Sequence, residues 1–442
     1  MDPQITHRLL ELSRAQSGLS DPCATANGSV LVTKDRQLID FYSGAGTLNY
    51  GHHNSRLKKR LVADIKRYGA LGTGSRQAAI TAQFFDTVQQ VLLQPRGWPY
   101  QLQLAGPTGA GALEIALQHA RQLKGRPNVI SFTQGFQGAS GRALADAAKV
   151  FFRAVTGTPS VSNATFMPYD RCFGPDVDTM AYLEQLLDGI RQPAERPAAV
   201  VVETVLGQGG VNVLTWRWLK ELETLCQRYD MLLILDDTQV GCGRTGRFFS
   251  FETADIHADI IVLSKSLSGL GVPMSLLLCD PSVGTPQRLA GCPWSDSIDQ
   301  ELGLLSATHA LETYWADGSF TADILEKEAL VRDWLENIVH SYSGWGFGVR
   351  GRGLIQGLVM SGYQDLAEQV ARRAFDVGLL IETSGADDEV LKLLPALTIE
   401  KSLLIKGLEI IEHSLAEVLR DSPARVRGTS RPAPGNPDSD TE

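Results

Sequence analysis

The sequence predicts an α/β protein in which a mostly parallel sheet is covered by helices on both faces, with a smaller α+β domain beside it. Short apolar strands alternate with amphipathic helices from about Leu113 to Lys265. The strands are apolar on both sides, which is typical of a parallel sheet buried between two helical layers. After Pro293 the pattern changes to helices followed by alternating strands and turns, which indicates a second domain.

The elements of the larger domain follow one another regularly. The helix "ALEIALQHARQLKG" begins near Leu113, carries one apolar stripe and closes at Gly125. Thr215 is placed to cap the helix "WRWLKELETLCQRY". The expected buried strands are "NVISF", "AAVVVE", "MLLILD" and "DIIVLS".

The smaller domain is predicted from both ends of the chain. Helices are expected at about 302–314 and 323–339, then antiparallel strands in "GFGVRGRGLIQGLVM" and a helix in "YQDLAEQVARRAFDVG". The hairpin-like "GSVLVTKDRQLIDFYSGAG" near the N-terminus is expected to join them. The expected boundaries are 1–55 with 296–421 for the small domain and 56–295 for the large one. The Pro-, Gly- and charge-rich residues 422–442 are expected to be disordered.

Composition excludes several classes of function. A formal net charge of −9 over 442 residues argues against nucleic-acid binding, which needs a basic face. No apolar run is long enough to cross a bilayer, and the first residues lack a signal-peptide core. The six cysteines are scattered, which favours a cytoplasmic protein without disulfides. The pair His52–His53 has no carboxylate or thiol at ligand spacing, so no metal site is expected.

Three expected strand ends carry polar residues that are unusual there. They are Glu203, the pair Asp236–Asp237, and Lys265. Ligands of parallel α/β sheets bind at the carboxyl ends of the strands, so these side chains are expected to meet. Lys265 is either a solvated loop lysine or an amine desolvated enough to form a Schiff base.

The two carboxylates favour the second reading of Lys265. Pyridoxal phosphate is a strong electron sink only while its ring nitrogen stays protonated, and a buried aspartate stabilises that cation. Asp236, at the end of "LLIL", is placed for this task. Asp237 is expected to point to the opposite face and to pair with Arg244 or cap the turn.

A phosphate site is predicted where a glycine-rich turn enters a helix. In "AGPTGAGALEIAL", residues Thr108, Gly109 and Ala110 lead into the helix, and backbone N–H groups at a helix start bind anions. Phe136 in "TQGFQG" follows another strand, where it either stacks on a ring or belongs to the core.

Taken in this order, the motifs resemble the class III aminotransferases, pyridoxal-phosphate enzymes of fold type I, from about Gly28 to Ala416. The most specific match is "DDTQVGCGRTGRF" followed by "LSKSLSGLGVP". Within the class, "SGAGTLNYGHHN" and "LKLLPALTIEKSLLIKGLEIIE" look most like diaminobutyrate–2-oxoglutarate aminotransferases. The resemblance implies amino-acid and oxo-acid substrates, pyridoxal 5'-phosphate as cofactor and a homodimer with the active site at the subunit interface.

The resemblance also implies a role for each motif residue. Lys265 would bind the cofactor and shuttle a proton, while Asp236 would pair with the ring nitrogen. The remaining cofactor contacts would be Gln239 on the ring hydroxyl, Thr238 and Phe136 on the two ring faces, and Thr108, Gly109 and Ala110 around the phosphate. Glu203, Gln208 and Lys392 would face the substrate.

The chain departs from the family pattern at three places. Gln208 stands where the family commonly has a glutamate, and without that acid Lys392 is expected to be free to bind a carboxylate. Gln137 replaces a histidine. In "CPWSDSIDQELGLL", Ser295 or Ser297 would replace a threonine that reaches the neighbouring subunit's phosphate.

These departures leave two alternatives to transamination. The first is a pyridoxal-phosphate enzyme that performs elimination, decarboxylation or carbon–carbon bond formation. The second is a non-catalytic protein that retains the fold.

Overall fold

The computed structural model describes residues 25–33, 36–68, 74–133, 164–284, 300–363 and 365–421. Its strands, in chain order, are β1 Thr25–Asn27, β2 Val30–Val32, β3 Gln37–Asp40, β4 Gln101–Leu104, β5 Val129–Phe132, β6 Ala164–Met167, β7 Ala199–Val202, β8 Val205–Leu206, β9 Asn212–Val213, β10 Leu232–Asp236, β11 Ile260–Leu263, β12 Leu276–Cys279, β13 Gly348–Arg352, β14 Ile355–Val359, β15 Leu379–Leu380, β16 Glu382–Ser384 and β17 Val390–Leu393. The helices are α1 Ser55–Tyr68, α2 Gly74–Val88, α3 Gly109–Lys124, α4 Thr179–Gly189, α5 Trp216–Arg228, α6 Glu301–Tyr314, α7 Ser319–Ser341, α8 Leu366–Asp376 and α9 Lys401–Asp421.

A seven-stranded sheet in the order β4-β12-β11-β10-β7-β5-β6 forms the centre of the fold. Strands β6, β5, β7, β10 and β11 run parallel, and β12 is antiparallel to both of its neighbours. The predicted mostly parallel sheet is therefore confirmed. The antiparallel strand β12 lies directly beside β11, the strand that leads into Lys265.

Alternate residues of β10 pack into two different apolar layers. Leu232 and Ile234 pack with α3, while Leu233 and Leu235 pack on the opposite face with α5. Helices therefore cover both faces of the sheet, as predicted. Burial on both sides explains why these strands contain almost no polar residues until their carboxyl ends.

Two smaller sheets stand beside the central one. One has the order β1-β2-β3-β15, with β15 parallel to β3, so it joins the beginning of the chain to its last third. The other is antiparallel in the order β13-β14-β17-β16. The predicted antiparallel strands after residue 345 and the predicted link to the N-terminal hairpin are both present.

Helix boundaries differ from the sequence prediction at one functionally important place. α3 begins at Gly109, four residues before the expected Leu113, and ends at Lys124, followed by the C-cap Gly125 with its left-handed φ of 61°. Thr215 caps α5 as predicted, accepting the N–H of Trp218 at 3.3 Å. Across the part of the chain that the structure describes, no helix combines the length and apolar character needed to cross a membrane.

Candidate active site

The carboxyl ends of β7, β10 and β11 open into one cavity of about 250 Å³. Eight residues predicted from the sequence line it: Gly109, Ala110, Glu203, Gln208, Asp236, Thr238, Gln239 and Lys265. Ala45 and Leu113 complete the lining. The expectation that polar strand ends converge is therefore correct for three separate strands. Phe136, Gln137, Ser295 and Ser297 lie outside the described residues.

Lys265 lies two residues after the end of β11 and enters the cavity from a constrained backbone. Its φ of 48° is left-handed, which is uncommon for a residue with a Cβ. Its Nζ donates a hydrogen bond to the carbonyl oxygen of Ala45 at 3.2 Å. Burial, together with the charge of Lys392, lowers the pKa of this amine to about 8, although Glu203 and Asp236 act in the opposite direction. The neutral form, which a nucleophile or base requires, is therefore more populated near physiological pH than in an ordinary lysine.

Asp236 ends β10 and is buried, with 5% of its surface exposed. Burial raises the pKa of its carboxyl group, while hydrogen bonds from Thr238 and the charge of Lys265 act in the opposite direction. The backbone N–H of Thr238 donates to Oδ1 at 3.1 Å. A cationic neighbour would stabilise this carboxylate, because the opposite charge offsets the cost of burying the carboxylate's own charge.

The predicted pairing of Asp237 with Arg244 is wrong. The carboxylate of Asp237 instead accepts hydrogen bonds from the backbone N–H of Ser250, at 3.0 Å, and from the Ser250 hydroxyl. The fully buried Arg244 donates to the carbonyl oxygens of Leu354 and Pro395 and to Asn49 Oδ1, at 2.6–2.8 Å. Asp237 is therefore structural, as predicted, but it holds a different loop.

Gly109 and Ala110 occupy the first turn of α3, where backbone N–H groups have no carbonyl partner within the helix. Thr108 is the N-cap, and its hydroxyl oxygen accepts the N–H of Gly111 at 3.1 Å. A Cβ at Gly109 would lie 2.8 Å from Thr238 Cγ2, so a glycine is needed for this helix to approach β10 closely. The helix start and the carboxylate strand end are thereby held against each other.

Gln239 is fixed by contacts on both ends of its amide. Its Nε2 donates to the carbonyl oxygen of Ala45 at 3.0 Å. Its Oε1 fills the space beside Gly207, where a Cβ would come within 1.8 Å of that oxygen. Gly207 therefore cannot acquire a side chain unless Gln239 moves, and Gln239 stays oriented across the cavity.

The prediction that Lys392 is free is also wrong. Its Nζ lies 2.8 Å from Glu382 Oε1, and the side chain of Lys392 has no exposed surface. The same ammonium donates to the carbonyl oxygen of Gly207 at 3.2 Å. Glu382 and Lys392 face each other across β16 and β17. An acid on a neighbouring strand thus neutralises the lysine that Gln208 leaves without an acidic partner.

Sequence reasoning missed Ala45 and Glu382. Ala45 belongs to a turn of left-handed residues, a conformation that alanine and serine do not signal. Glu382 could have been found only by aligning two short strands in register, since it lies ten positions before its partner.

The histidine pair is accounted for by two other contacts. His52 bonds to Asp40, and His53 contacts Lys58. Among the described residues, no group of three or more potential ligands is arranged to hold a metal ion.

A family model matches residues 19–415 of the chain, and its description is aminotransferase class-III. The chain belongs to the class III aminotransferase family. Among its relatives is a diaminobutyrate–2-oxoglutarate transaminase of Bordetella parapertussis, 54% identical over 90% of this chain and 91% of that protein. A relative with the same name from Halomonas elongata is 42% identical over 88% and 92%. A Bacillus anthracis aminotransferase structure has a TM-score of 0.79 at 18% identity, covering 94% of this chain and all of that one, which shows the shared fold.

This class III aminotransferase is a transaminase of fold type I whose cofactor is pyridoxal phosphate. The cavity fits the chemistry of that cofactor. It presents an amine with a lowered pKa, a buried carboxylate suited to a cationic ring and a helix N-terminus suited to a phosphate. The glycines at 109 and 207 let Thr238 and Gln239 lie close against the backbone that borders the cavity.

Proposed function

We propose that this aminotransferase exchanges an amino group between glutamate or 2-oxoglutarate and the terminal position of a small amino acid, the pair aspartate 4-semialdehyde and 2,4-diaminobutyrate. The observation that carries the proposal is the 54% identity, over 90% of the chain, to an enzyme named diaminobutyrate–2-oxoglutarate transaminase. The relative from Halomonas elongata has the same name.

The cofactor roles that we propose follow the geometry of the cavity. Asp236 would hold the ring nitrogen in its protonated form, since a buried carboxylate favours a nearby cation. The backbone N–H groups of Gly109 and Ala110 would bind the phosphate at the start of α3. Gln239 would donate to the ring hydroxyl, and Thr238 would pack on one ring face. When bound, the cofactor supplies an electron sink for the negative charge that develops on the substrate carbon.

Lys265 is the proposed catalytic residue. With a pKa lowered to about 8, its amine would attach the cofactor and, once released by the substrate, act as a base. As a base it would take up and hold the proton from the substrate carbon that bears the amino group. The hydrogen bond to the carbonyl oxygen of Ala45 keeps the amine inside the cavity.

The proposed substrate side of the cavity carries charges of both signs. Glu203 and Gln208 line the cavity itself. Lys392 donates to the carbonyl oxygen of Gly207, the residue before Gln208, and Glu382 offsets its charge. Because Lys392 is paired with Glu382 and has no exposed surface, we expect its charge to act on the cavity only from a distance.

The pair Glu382–Lys392 also weakens the case for a different reaction on the same cofactor. The argument for a different reaction depended in part on Gln208. Because Gln208 replaces the family's glutamate, Lys392 was expected to lack an acidic partner. The ion pair of 2.8 Å supplies the compensation from another strand. Gln208 is therefore no longer a reason to expect a reaction other than transamination.

We also propose that the enzyme is a homodimer. The support is the family resemblance, which implies that Ser295 or Ser297 would reach the neighbouring subunit's phosphate, together with the general preference for two-fold symmetry. Light scattering of the purified protein coupled to size-exclusion chromatography would measure its mass against the 48.0 kDa of one chain.

The test of the proposed function is direct. Purified protein loaded with pyridoxal phosphate is mixed with 2,4-diaminobutyrate and 2-oxoglutarate, and glutamate is quantified by chromatography. We expect glutamate to form with this donor and not with Lys265→Ala protein. Ornithine, 4-aminobutyrate and N-acetylornithine serve as competing donors. Faster glutamate production from any of these three than from 2,4-diaminobutyrate would overturn the proposed substrate.

A further inference from the structure

His52 and Asp40 form a hydrogen-bonded pair beside the cavity, outside the residues assigned above. His52 Nε2 lies 2.6 Å from Asp40 Oδ2. Asp40 is buried with 2% of its side chain exposed, and His52 is 20% exposed. The backbone of His52 is fixed by two hydrogen bonds with Gly28, at 2.8 and 2.7 Å. The pair is therefore anchored to the first hairpin of the chain.

The second oxygen of the Asp40 carboxylate holds the start of a tight turn. Asp40 Oδ1 accepts the backbone N–H groups of Tyr42 and Ser43, both at 2.8 Å. Ser43, Gly44 and Ala45 then follow with φ values of 47°, 59° and 56°. This left-handed conformation is unfavourable for residues that have a Cβ, and it persists only where surrounding contacts determine it. Asp40 supplies the contacts at its first residue.

The end of the turn directs its carbonyl groups at the residues around Lys265. The carbonyl oxygen of Ala45 accepts from Lys265 Nζ at 3.2 Å and from Gln239 Nε2 at 3.0 Å. The next carbonyl, of Gly46, accepts from the Ser266 hydroxyl at 2.8 Å. A continuous set of hydrogen bonds thus leads from the imidazole through the carboxylate and the turn to the amine.

We propose that His52 and Asp40 are positioning residues that hold the Ala45 carbonyl where it receives the Lys265 amine whenever that amine is not bonded to the cofactor. The proposal rests on the assignment of Lys265 as the cofactor-binding residue under Proposed function. His52 acts only through Asp40 and the turn, because the contacts described for it are with Asp40 and Gly28. The turn receives the amine each time the substrate displaces it, and so keeps it ready for proton transfer.

The charges around Asp40 decide which variant tests the proposal. Burial lowers the pKa of Arg244 to about 9, and the nearby Asp40 partly offsets this effect. Burial, Glu382 and Asp40 together raise the pKa of Tyr42 to about 12. Replacing Asp40 would disturb both of these groups as well as the turn. His52 is the cleaner position, because its replacement leaves the Asp40 carboxylate in place.

The experiment follows covalent capture of pyridoxal phosphate by the cofactor-free protein. The rate is measured from the visible absorbance change between pH 6 and pH 10, and borohydride trapping verifies the attachment. Only the neutral amine reacts, so the midpoint of the pH profile reports the amine's pKa, which is about 8. The Ala45 carbonyl favours the protonated amine, so loss of this acceptor lowers the midpoint. We expect His52→Leu to lower it by roughly half a pH unit or more, since hydrogen bonds to charged groups are worth at least that much.

Two matched variants separate this role from a general effect on folding. His52→Gln keeps an N–H donor close to the position of Nε2 and is expected to keep the wild-type midpoint. His53→Leu makes the same change one residue later, at an exposed side chain that contacts Lys58, and should also leave the midpoint unchanged. An unchanged midpoint in His52→Leu, or an equal shift in His53→Leu, would overturn the proposal.

A failure of the proposal for His52 and Asp40 can be distinguished from a failure of the proposed function. Capture by Lys265→Ala protein at the wild-type rate would overturn the assignment of Lys265, and with it both proposals. If His52→Leu does not fold, His52→Asn replaces it, because its amide is too short to reach the Asp40 carboxylate. A downward shift in that variant supports the proposal, and a wild-type midpoint contradicts it.

Discussion

Lys392 and Glu382 form an ion pair of 2.8 Å between neighbouring antiparallel strands, and Lys392 Nζ also donates to the carbonyl oxygen of Gly207. Removing one partner of such a pair leaves an uncompensated charge in the interior. We expect Glu382→Gln to lower the free energy of unfolding by about 3 kcal/mol, a value at the lower end for broken buried pairs because Glu382 remains 18% exposed. Urea unfolding followed by circular dichroism measures this change.

A surface acid provides the control for that measurement. Glu368 pairs with Arg372 on the exposed side of α8, and Glu368→Gln should leave the unfolding curve nearly unchanged. The double variant Glu382→Gln/Lys392→Met removes the lone charge and should recover part of the lost stability. If Glu382→Gln unfolds at the wild-type urea concentration, the pair does not stabilise the charge of Lys392.

Two adjacent carboxylates are predicted to affect different properties of the enzyme. Asp236 lines the cavity, whereas Asp237 holds Ser250. Asp236→Asn should reduce kcat/KM by about 100- to 1000-fold, the usual effect of removing one preorganised charge contact from a reacting centre. Asp237→Asn should change kcat/KM by only a few-fold. Steady-state kinetics with saturating cofactor checks both, and equal losses in the two variants would contradict the assignment of Asp236.

Asp237 should instead make stability depend on pH. Burial raises the pKa of this carboxyl group from 3.8 to about 7, with the Ser250 hydrogen bonds acting in the opposite direction. The folded state therefore binds an extra proton between these values, and the stabilisation is lost as the pH rises through about 7. Compared with Asp237→Asn, the wild-type protein should lose stability between pH 5 and pH 8. Urea unfolding at the two pH values measures the difference, and parallel changes in both proteins would exclude this source.

The strand-end residues of the site could be predicted because parallel strands end at the same edge of a sheet. Glu203, Asp236 and Lys265 each follow an unmistakably apolar run, so their convergence required only the fold class. The partner of Lys392 could not be predicted in this way. Glu382 reaches it through the register of two strands of three and four residues, and such short strands carry little pattern of their own.

The left-handed turn at residues 43–45 could not be predicted from the sequence for a different reason. Ser43 and Ala45 adopt left-handed conformations that their side chains disfavour, so local sequence preference points away from the observed structure. Long-range contacts with Asp40, Gln239 and Lys265 determine it instead. Arg244 was misassigned for the same reason, since its acceptors are distant in sequence.

Lys265 should reduce the stability of the cofactor-free protein at neutral pH. Burial is the largest cause that lowers its pKa from 10.5 to about 8. Below pH 8 the amine is charged in both states, and its burial destabilises the folded state relative to the unfolded state. This penalty is relieved as the pH rises from about 8 to about 10.5, because the unfolded state binds more protons over that range. Lys265→Met should therefore raise the free energy of unfolding at pH 7 by about 1–3 kcal/mol, less the lost hydrogen bond to Ala45. The gain should shrink towards pH 10.

Thermal and urea unfolding of the cofactor-free proteins check this prediction for Lys265. The exposed Lys59 supplies the control, since Lys59→Met should show no comparable change with pH. A Lys265→Met protein that is less stable than wild type at pH 7 would mean that the amine is better solvated than its surroundings indicate.

The close approach of Gly109 and Thr238 predicts that Gly109→Ala weakens cofactor binding and that a second substitution at Thr238 partly restores it. A Cβ at position 109 would lie 2.8 Å from Thr238 Cγ2 and 3.1 Å from Thr238 Cβ, so Gly109→Ala must displace the start of α3 or Thr238. Either movement weakens the anion site, and we expect the dissociation constant for pyridoxal phosphate to rise about 10-fold or more, corresponding to about 1.4 kcal/mol.

Thr238→Ser removes Cγ2 but keeps the hydroxyl, so Gly109→Ala/Thr238→Ser should bind the cofactor more tightly than Gly109→Ala alone. Because Ser264 Cβ would still lie 3.3 Å away, the recovery should be partial. Fluorescence titration with the cofactor measures all three proteins, and additive losses in the double variant would show that the steric contact is not the cause.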